Sequence, residues 1–165
     1  MNRTNSRKIM LLGDMGVGKT SIAHRCAFNT FSNSYKATIG VELFTVEMTI
    51  DGTDHSFVLW DTDGEYGMLM FDSVYIRGAS GACILSDLGR EQTITSMHNL
   101  VQGFEEHLPG RPVMRIGNKI DIYEDQPEKK AALEGQFDYL TSAMHGDGVF
   151  EAFRSIAKAC YERGL

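Results

Sequence analysis

This 165-residue chain has few cysteines, no long apolar run and no excess of positive charge, and each of these features argues against a class of protein. Only Cys26, Cys83 and Cys160 are present, far apart in sequence and without a C-x-x-C pair. That spacing is typical of reduced intracellular thiols and argues against a disulfide framework or a zinc site. The five histidines likewise form no set with metal-ligand spacing.

Hydrophobicity and charge restrict the location and the partners of the protein. No stretch stays apolar for the roughly 20 residues that a membrane-spanning helix requires. The polar start, Met1–Lys8, has no apolar segment behind it, so no signal peptide is indicated. The net charge of −6 argues against non-specific binding to nucleic acid or to anionic membranes. We expect residues 1–165 to form one cytoplasmic, monomeric domain.

A phosphate-binding loop is the strongest motif in the chain. Residues 13–20 read G-x-x-x-x-G-K-T, between an apolar run at Ile9–Leu12 and a helical pattern at Ser21–Phe28. Glycines let successive backbone N–H groups curl around an anion, and a helix N-terminus adds partial positive charge. Lys19 would reach the β- and γ-phosphates of a nucleotide, and the Thr20 hydroxyl would bind Mg²⁺. The alternative is a glycine-rich turn with a surface lysine.

Strand and helix patterns alternate along the rest of the chain. Val41–Ile50 alternates apolar and polar residues, Asp51-Gly52 is a tight-turn signal, and Phe57–Trp60 returns, which predicts an antiparallel hairpin. The whole pattern predicts an α/β fold: a mainly parallel six-stranded sheet with one antiparallel edge hairpin strand and helices on both faces. The remaining predicted strands are Gly81–Leu85, Pro112–Ile116 and Phe137–Leu140, and the remaining predicted helices are Ile94–Leu108, Gln126–Gly135 and Val149–Cys160.

Three further motifs lie where such a sheet would place its ligands. Thr38 precedes the hairpin, and a D-x-x-G motif runs from Asp61 to Gly64 at the end of the returning strand. A carboxylate at Asp61 can hold Mg²⁺ through water, and the Gly64 N–H can approach a γ-phosphate. An N-K-x-D motif runs from Asn118 to Asp121. The Asp121 carboxylate can accept hydrogen bonds from the N1–H and exocyclic amine of guanine, a donor pair that adenine lacks.

These motifs, in this order, resemble those of a Ras-superfamily small GTPase, most of all the Rab branch. Thr38–Glu42 resembles the first Rab switch, and Leu59–Thr62 resembles the start of the second. Tyr75–Gly81 resembles the Rab Y-Y-R-G-A-x-G stretch, and Thr141–Ala143 resembles the T-S-A-K loop. The resemblance covers nearly the whole chain. It implies a Ras-like P-loop NTPase fold and a molecular switch of vesicle trafficking that binds GTP or GDP with Mg²⁺ and hydrolyses GTP.

The same resemblance assigns metal and catalytic roles by position. Thr20 and Thr38 should bind Mg²⁺ directly, and Asp61 should bind it through water. The catalytic positions are Glu65, Lys19 and Gly64.

The resemblance also assigns contacts to the nucleotide. Phe31 should stack edge-on against guanine, Lys119 should lie under its plane, and Tyr35 should cover the phosphates. The full set of nucleotide-binding positions is Asp14, Met15, Gly16, Val17, Gly18, Lys19, Thr20, Ser21, Phe31, Tyr35, Thr38, Gly64, Asn118, Lys119, Asp121, Ser142, Ala143 and Met144.

The departures from the family cluster at the hydrolytic centre. Glu65 stands where the family has the glutamine that orients the attacking water, and an ionised carboxylate accepts hydrogen bonds but does not donate them. Asp63 adds a second carboxylate, and Met15 would crowd a partner's arginine finger. We therefore predict guanine-nucleotide binding with slow or atypical hydrolysis. Ordinary hydrolysis with solvated charges, a nucleotide-locked adaptor and an adenine-nucleotide enzyme stay as alternatives. At Met144, methionine replaces the lysine of the last loop.

Partner binding and membrane attachment rest on the resemblance. Residues 35–46 and 62–78 should contact exchange factors and effectors. Within them, Met68–Phe71 is apolar, and packing on the sheet or exposure to a partner are both open. The last residues, Tyr161–Leu165, lack the terminal cysteines of a prenylated Rab tail. Either a lipidated tail is missing, or this relative works without one and reaches membranes only through partners.

Overall fold

A computed structural model describes residues 6–34 and 37–165, and its centre is a six-stranded sheet. The strands lie in the order β2-β3-β1-β4-β5-β6. All neighbouring strands are parallel except β2 and β3, which pair antiparallel at one edge. The predicted fold class is therefore confirmed. The strands are β1 (Arg7–Leu12), β2 (Val41–Ile50), β3 (Thr53–Thr62), β4 (Gly81–Asp87), β5 (Val113–Asn118) and β6 (Tyr139–Thr141).

The helical segments lie between successive strands, as expected for βα connections, except the last helix, which follows the last strand. Three further stretches are 3₁₀ turns, two of them between β3 and β4 and one directly after β5. The α-helices are α1 (Lys19–Phe28), α2 (Glu91–His107), α3 (Pro127–Leu133) and α4 (Val149–Glu162), and the 3₁₀ segments are Gly64–Asp72, Val74–Ile76 and Ile120–Tyr123.

Two apolar clusters cover the two faces of the sheet. The alternation along β1 shows the division, because Ile9 and Leu11 face the cluster under α1 and α4, whereas Met10 and Leu12 face the cluster under α2. All four side chains are buried. A central parallel strand is covered on both faces and therefore reads as a continuous apolar run.

The hairpin forms where the turn signal predicts it. Asp51 and Gly52 have φ angles of 50° and 79°, the left-handed pair that a two-residue hairpin turn requires. Ile50 pairs with Thr53 across this turn. The alternation of β2 then turns Phe44 and Val46 inward.

The last strand is shorter than predicted. Residues 137–140 were expected to form it, but β6 begins at Tyr139. The Asp138 carboxylate accepts a hydrogen bond from the Arg115 amide at 2.7 Å, so a side chain takes the ladder position of a backbone carbonyl. Phe137 is buried in the cluster under α2. Phe137 is therefore buried without belonging to a strand, and strand pairing begins only at Tyr139.

For the apolar run at residues 68–71 the sequence left packing on the sheet and exposure to a partner open, and burial holds for two of the four residues and exposure for the other two. Met70 and Phe71 are buried, whereas Met68 and Leu69 are 48% and 67% exposed. The predicted helix at 126–135 contracts to α3, which has seven residues and buries none of them. Among residues 6–34 and 37–165, no helix combines the length and apolar character needed to cross a bilayer.

Candidate functional site

The phosphate loop links β1 to α1, and its glycines are required by close backbone contacts. Gly13 has a φ of 147°, and a Cβ there would lie 2.6 Å from the carbonyl oxygen of Leu85. Gly18 has a φ of 106°, and a Cβ there would lie 2.3 Å from Asn118 Nδ2. Helix α1 begins directly after Gly18, so the loop amides and the helix N-terminus face the same space. This arrangement suits an anion.

Lys19 lies within this loop as a nearly buried cation. Its ammonium donates to the carbonyl oxygens of Gly13 at 2.8 Å and Asp14 at 2.9 Å. Burial lowers the pKa of Lys19 to about 8, although the carboxylates of Asp61, Asp14 and Asp63 act in the opposite direction. A phosphate placed against this ammonium would supply the negative charge that the buried cation lacks.

Three oxygen-bearing side chains meet at one point beside the loop. Thr20 Oγ1 donates to Asp61 Oδ2 at 2.5 Å and lies 2.8 Å from Thr38 Oγ1. Thr38 Oγ1 lies 3.2 Å from the same carboxylate oxygen. Asp61 is fully buried, and its Oδ1 atom has no hydrogen-bond partner among the described residues. Burial raises the pKa of Asp61 despite these hydroxyls.

This oxygen cluster fits a small divalent cation. Two hydroxyls and a buried carboxylate are hard ligands of the kind that Mg²⁺ takes together with phosphate oxygens. A cation would also satisfy the unpaired oxygen of Asp61, whose isolated negative charge is costly in a buried position. The residues predicted to bind the metal are therefore brought together by the fold, from α1, the segment before β2 and the end of β3.

The N-K-x-D motif lies at the end of β5 and braces the loop. Asn118 donates from Nδ2 to the Val17 carbonyl at 3.0 Å, and its Oδ1 accepts from Thr141 Oγ1 at 2.9 Å. Asp121 accepts a hydrogen bond from Ser142 Oγ at 2.7 Å. Because Ser142 orients that carboxylate, Asp121 is held at the rim beside the 141–144 loop.

Lys119 is aimed back at the phosphate loop by an unusual backbone conformation. Its φ is 70°, in the left-handed region that non-glycine residues rarely adopt. Its ammonium donates to the Gly16 carbonyl and to Asp87 Oδ2, both at 2.8 Å. The left-handed residue turns the chain sharply after β5, and the Lys119 side chain then crosses the site to reach the loop.

The second-switch turn, residues 63–72, packs directly on the phosphate loop. A Cβ at Gly64 would lie 2.4 Å from the Met15 backbone nitrogen, so only glycine allows this approach. Asp63 caps the following 3₁₀ turn, because its Oδ1 accepts from the Glu65 amide at 2.9 Å. The Glu65 side chain is exposed. Met15 is 41% exposed at the mouth of the loop.

The remaining predicted contacts surround the same space. Val17 is fully buried, and Phe31 packs against the cluster under α1 and α4, which also contains Ala143. Ser21 lies in the first turn of α1, and Met144 is 46% exposed. Tyr35 lies outside the described residues.

Two residues that the motifs do not include lie at the site. Asp87 ends β4 and accepts from Lys119, and Arg90 donates to the Met15 carbonyl at 2.7 Å. Asp87 was detectable in principle, because it lies at the end of a buried strand. The carboxyl ends of two other parallel strands of the sheet carry Asp61 and Asn118. Arg90 carried no such signal, since it lies in an irregular turn.

Comparison with known proteins agrees with this geometry. A model of the Ras family matches residues 8–162. The chain is 36% identical over 161 residues to Ras-related protein RGP2 of Oryza sativa subsp. japonica, covering 93% of this chain and 74% of the relative. It is 34% identical over 171 residues to Ras-related protein Rab7 of Pisum sativum, covering 95% and 83%.

The fold and the motifs together define a Ras-like P-loop NTPase. The chain belongs to the Ras family of small GTPases, with relatives named as Rab proteins. The resemblance drawn from the sequence is therefore confirmed.

Proposed function

We propose that this protein is a guanine-nucleotide switch that binds GTP and GDP together with Mg²⁺. The observation that carries the proposal is the convergence of Lys19, the Thr20–Thr38–Asp61 oxygen cluster and Asp121 along one edge of the sheet. Mg²⁺ bound by the cluster would neutralise phosphate charge. Lys19 would hold the phosphates, and the Asp121 carboxylate would accept from guanine.

The test is the identity of the nucleotide that the protein carries. We expect purified protein to release GDP or GTP on denaturation, detected by anion-exchange chromatography. Labelled GDP should be displaced by unlabelled GTP but not by a hundredfold excess of ATP. Asp121→Ala should abolish this preference, whereas Asp125→Ala, a neighbouring exposed carboxylate outside the motif, should not. Displacement by ATP at the same concentration as GTP would instead support an adenine-nucleotide enzyme.

Hydrolysis by this protein is proposed to be slow. Glu65 can accept but not donate a hydrogen bond to water, and its charge would lie near a polyanionic phosphate. Asp63 holds the turn in which Glu65 sits. Lys19 and Gly64 would still bind the γ-phosphate, so the defect would be in orienting water and not in binding GTP.

Single-turnover cleavage of GTP measures this defect. Glu65→Gln should raise the cleavage rate by about tenfold or more, since it restores a group that donates and accepts. Asp63→Ala should change the rate through the loss of its cap, and Asp72→Asn, an exposed carboxylate in the same segment, should leave it unchanged. A wild-type rate equal to that of an ordinary Rab, unaltered by either change, would overturn the proposal.

A nucleotide-locked adaptor is the second candidate function, and the pair of carboxylates at Asp63 and Glu65 in the second-switch turn favours it. Such a protein would bind partners without turning GTP over. It would be purified with one nucleotide in stoichiometric amount, and Glu65→Gln would leave that nucleotide uncleaved.

The partner surface is proposed to be residues 35–46 and 62–78. Its described part carries large apolar side chains in the open: Ile39 is 91% exposed, Leu69 is 67% exposed and Val74 is 64% exposed. Exposed apolar groups beside a nucleotide-sensing turn suit effectors and exchange factors. The protein would act in the cytoplasm and reach membranes through such partners or through a lipidated tail.

A further inference from the structure

Arg90 holds the outer side of the phosphate loop. It lies between β4 and α2, and its Nη2 donates to the Met15 carbonyl at 2.7 Å. The next carbonyl along the loop, that of Gly16, accepts from Lys119 Nζ at 2.8 Å. Two consecutive loop carbonyls are therefore each held by a cation.

Asp87 joins these two cations into one network. Its Oδ2 accepts from Arg90 Nε at 3.0 Å and from Lys119 Nζ at 2.8 Å, and its Oδ1 accepts from the Gly89 amide. Burial alone would raise the pKa of Asp87. The hydrogen bonds from Lys119, Gly89 and Arg90 outweigh that effect and hold the pKa below its usual value. The carboxylate therefore stays ionised and fixes both cations.

The network has two physical consequences for the loop. A carbonyl that points outward leaves the amide of the same peptide bond pointing inward, so pinning two carbonyls fixes the direction of the anion-facing N–H groups. The Arg90 guanidinium also places a positive charge directly against the loop, since its Nη2 lies 2.7 Å from the Met15 carbonyl oxygen. Gly16 allows this packing, since a Cβ there would lie 3.3 Å from Arg90 Nη2.

We propose that Arg90 is a positioning residue for the nucleotide phosphates: held in place by Asp87, it pins the Met15 peptide directly and adds positive charge behind the loop, and thereby slows nucleotide release. The inference rests on the proposed function, since it assumes that a guanine nucleotide occupies the loop. In this proposal Arg90 acts on the phosphates, whereas Asp121 recognises the base.

The dissociation rate of fluorescent GDP in the presence of Mg²⁺ tests this role. Arg90→Ala should accelerate release by about tenfold to a hundredfold, since a charged donor to a loop carbonyl is lost. Arg90→Lys should recover part of the effect, because a lysine keeps the charge but cannot bridge Asp87 and Met15 together. Arg154→Ala, which removes an exposed arginine from α4, should leave the rate within about twofold of wild type.

A second readout separates positioning from general damage to the site. The preference for GDP over inosine diphosphate depends on the exocyclic amine that Asp121 reads, so Arg90→Ala should leave that ratio unchanged. A loss of this preference, or an unchanged release rate, would overturn the inference while leaving the proposed function intact. Failure of the wild-type protein to bind fluorescent GDP would overturn the proposed function itself.

Discussion

The ionisation of Lys19 links the stability of the folded protein to the binding of a ligand. Its pKa falls from 10.5 to about 8 because the ammonium is buried. A base whose pKa is lower in the folded state costs stability while it is charged. For the nucleotide-free protein this cost is fully present below pH 8, and it disappears as the pH rises from about 8 towards 10.5.

Phosphate binding should reverse this penalty and draw a proton onto Lys19. Because burial lowers the pKa of Lys19 to about 8, a fraction of the nucleotide-free molecules carries a neutral lysine near that pH, so binding GDP with Mg²⁺ should take up protons. Titration calorimetry in buffers of different ionisation enthalpy measures this uptake. Lys19→Arg, which stays charged at this pH, should show almost none. Equal uptake by both proteins would contradict the assignment.

Motifs indicate residues whose chemical groups suit a ligand, but they do not indicate residues that would act through another residue. Lys19, Thr20 and Asp61 were predicted from spacing alone, because phosphate and Mg²⁺ require particular groups at particular strand ends. Arg90 was not predicted, since its proposed role depends on a hydrogen bond to a backbone carbonyl. Every residue has such a carbonyl, so no residue type marks this contact in the sequence.

Helix α2 supports the second-switch turn through a glycine. A Cβ at Gly103 would lie 2.5 Å from Phe71 Cε2 and 2.8 Å from Met68 Cε, so the 64–72 segment packs where a side chain would otherwise stand. Gly103 is buried in the middle of the helix, although glycine there costs about 1 kcal/mol relative to alanine. The contact with the turn explains why the weaker helix former occupies this position.

Gly103→Ala should therefore destabilise the protein despite its better helix propensity. Overpacking against Phe71 should outweigh the helix gain and leave a net loss of about 1–2 kcal/mol in the free energy of unfolding. Hydrogen exchange should accelerate selectively in residues 64–72. Urea denaturation measures the first effect, and Gly135→Ala, where a Cβ meets nothing within 4 Å, is the control. A stabilised variant with unchanged exchange would refute this packing argument.

Strands and helices whose apolar residues recur with a clear period were predictable from the sequence. Segments whose bounds depend on a single contact were not. The alternation in β2 gives the observed bounds of that strand, and the apolar run at Ile9–Leu12 gives the buried part of β1, because burial sets both patterns. The start of β6 was misplaced because Asp138 substitutes a side-chain oxygen for a backbone one. Residues 68–71 form a continuous apolar run, and the tertiary packing of the segment against α2 and its neighbours decides which of them are buried.

The three cysteine thiols lie in the same apolar core, and each comes from a different helix or strand. Cys26 of α1, Cys83 of β4 and Cys160 of α4 are all buried in the cluster on one face of the sheet. Burial raises the pKa of Cys26 to about 12, and burial raises that of Cys160 to about 11. Cys83 is shifted in the same direction. The thiolate form that reacts with disulfide reagents is therefore suppressed in the folded state.

Thiol labelling should consequently report opening of the whole molecule. We expect no rapid reaction with an aromatic disulfide in native buffer and three equivalents of reaction in concentrated urea. If the thiols react only after global opening, GDP with Mg²⁺ at a hundredfold excess over its dissociation constant should slow native labelling about a hundredfold. Rapid reaction of one thiol that the nucleotide does not slow would show local opening of its element. Cys83, on a central strand covered by helices, should be the last to react under partly destabilising conditions, because its exposure requires the sheet itself to separate.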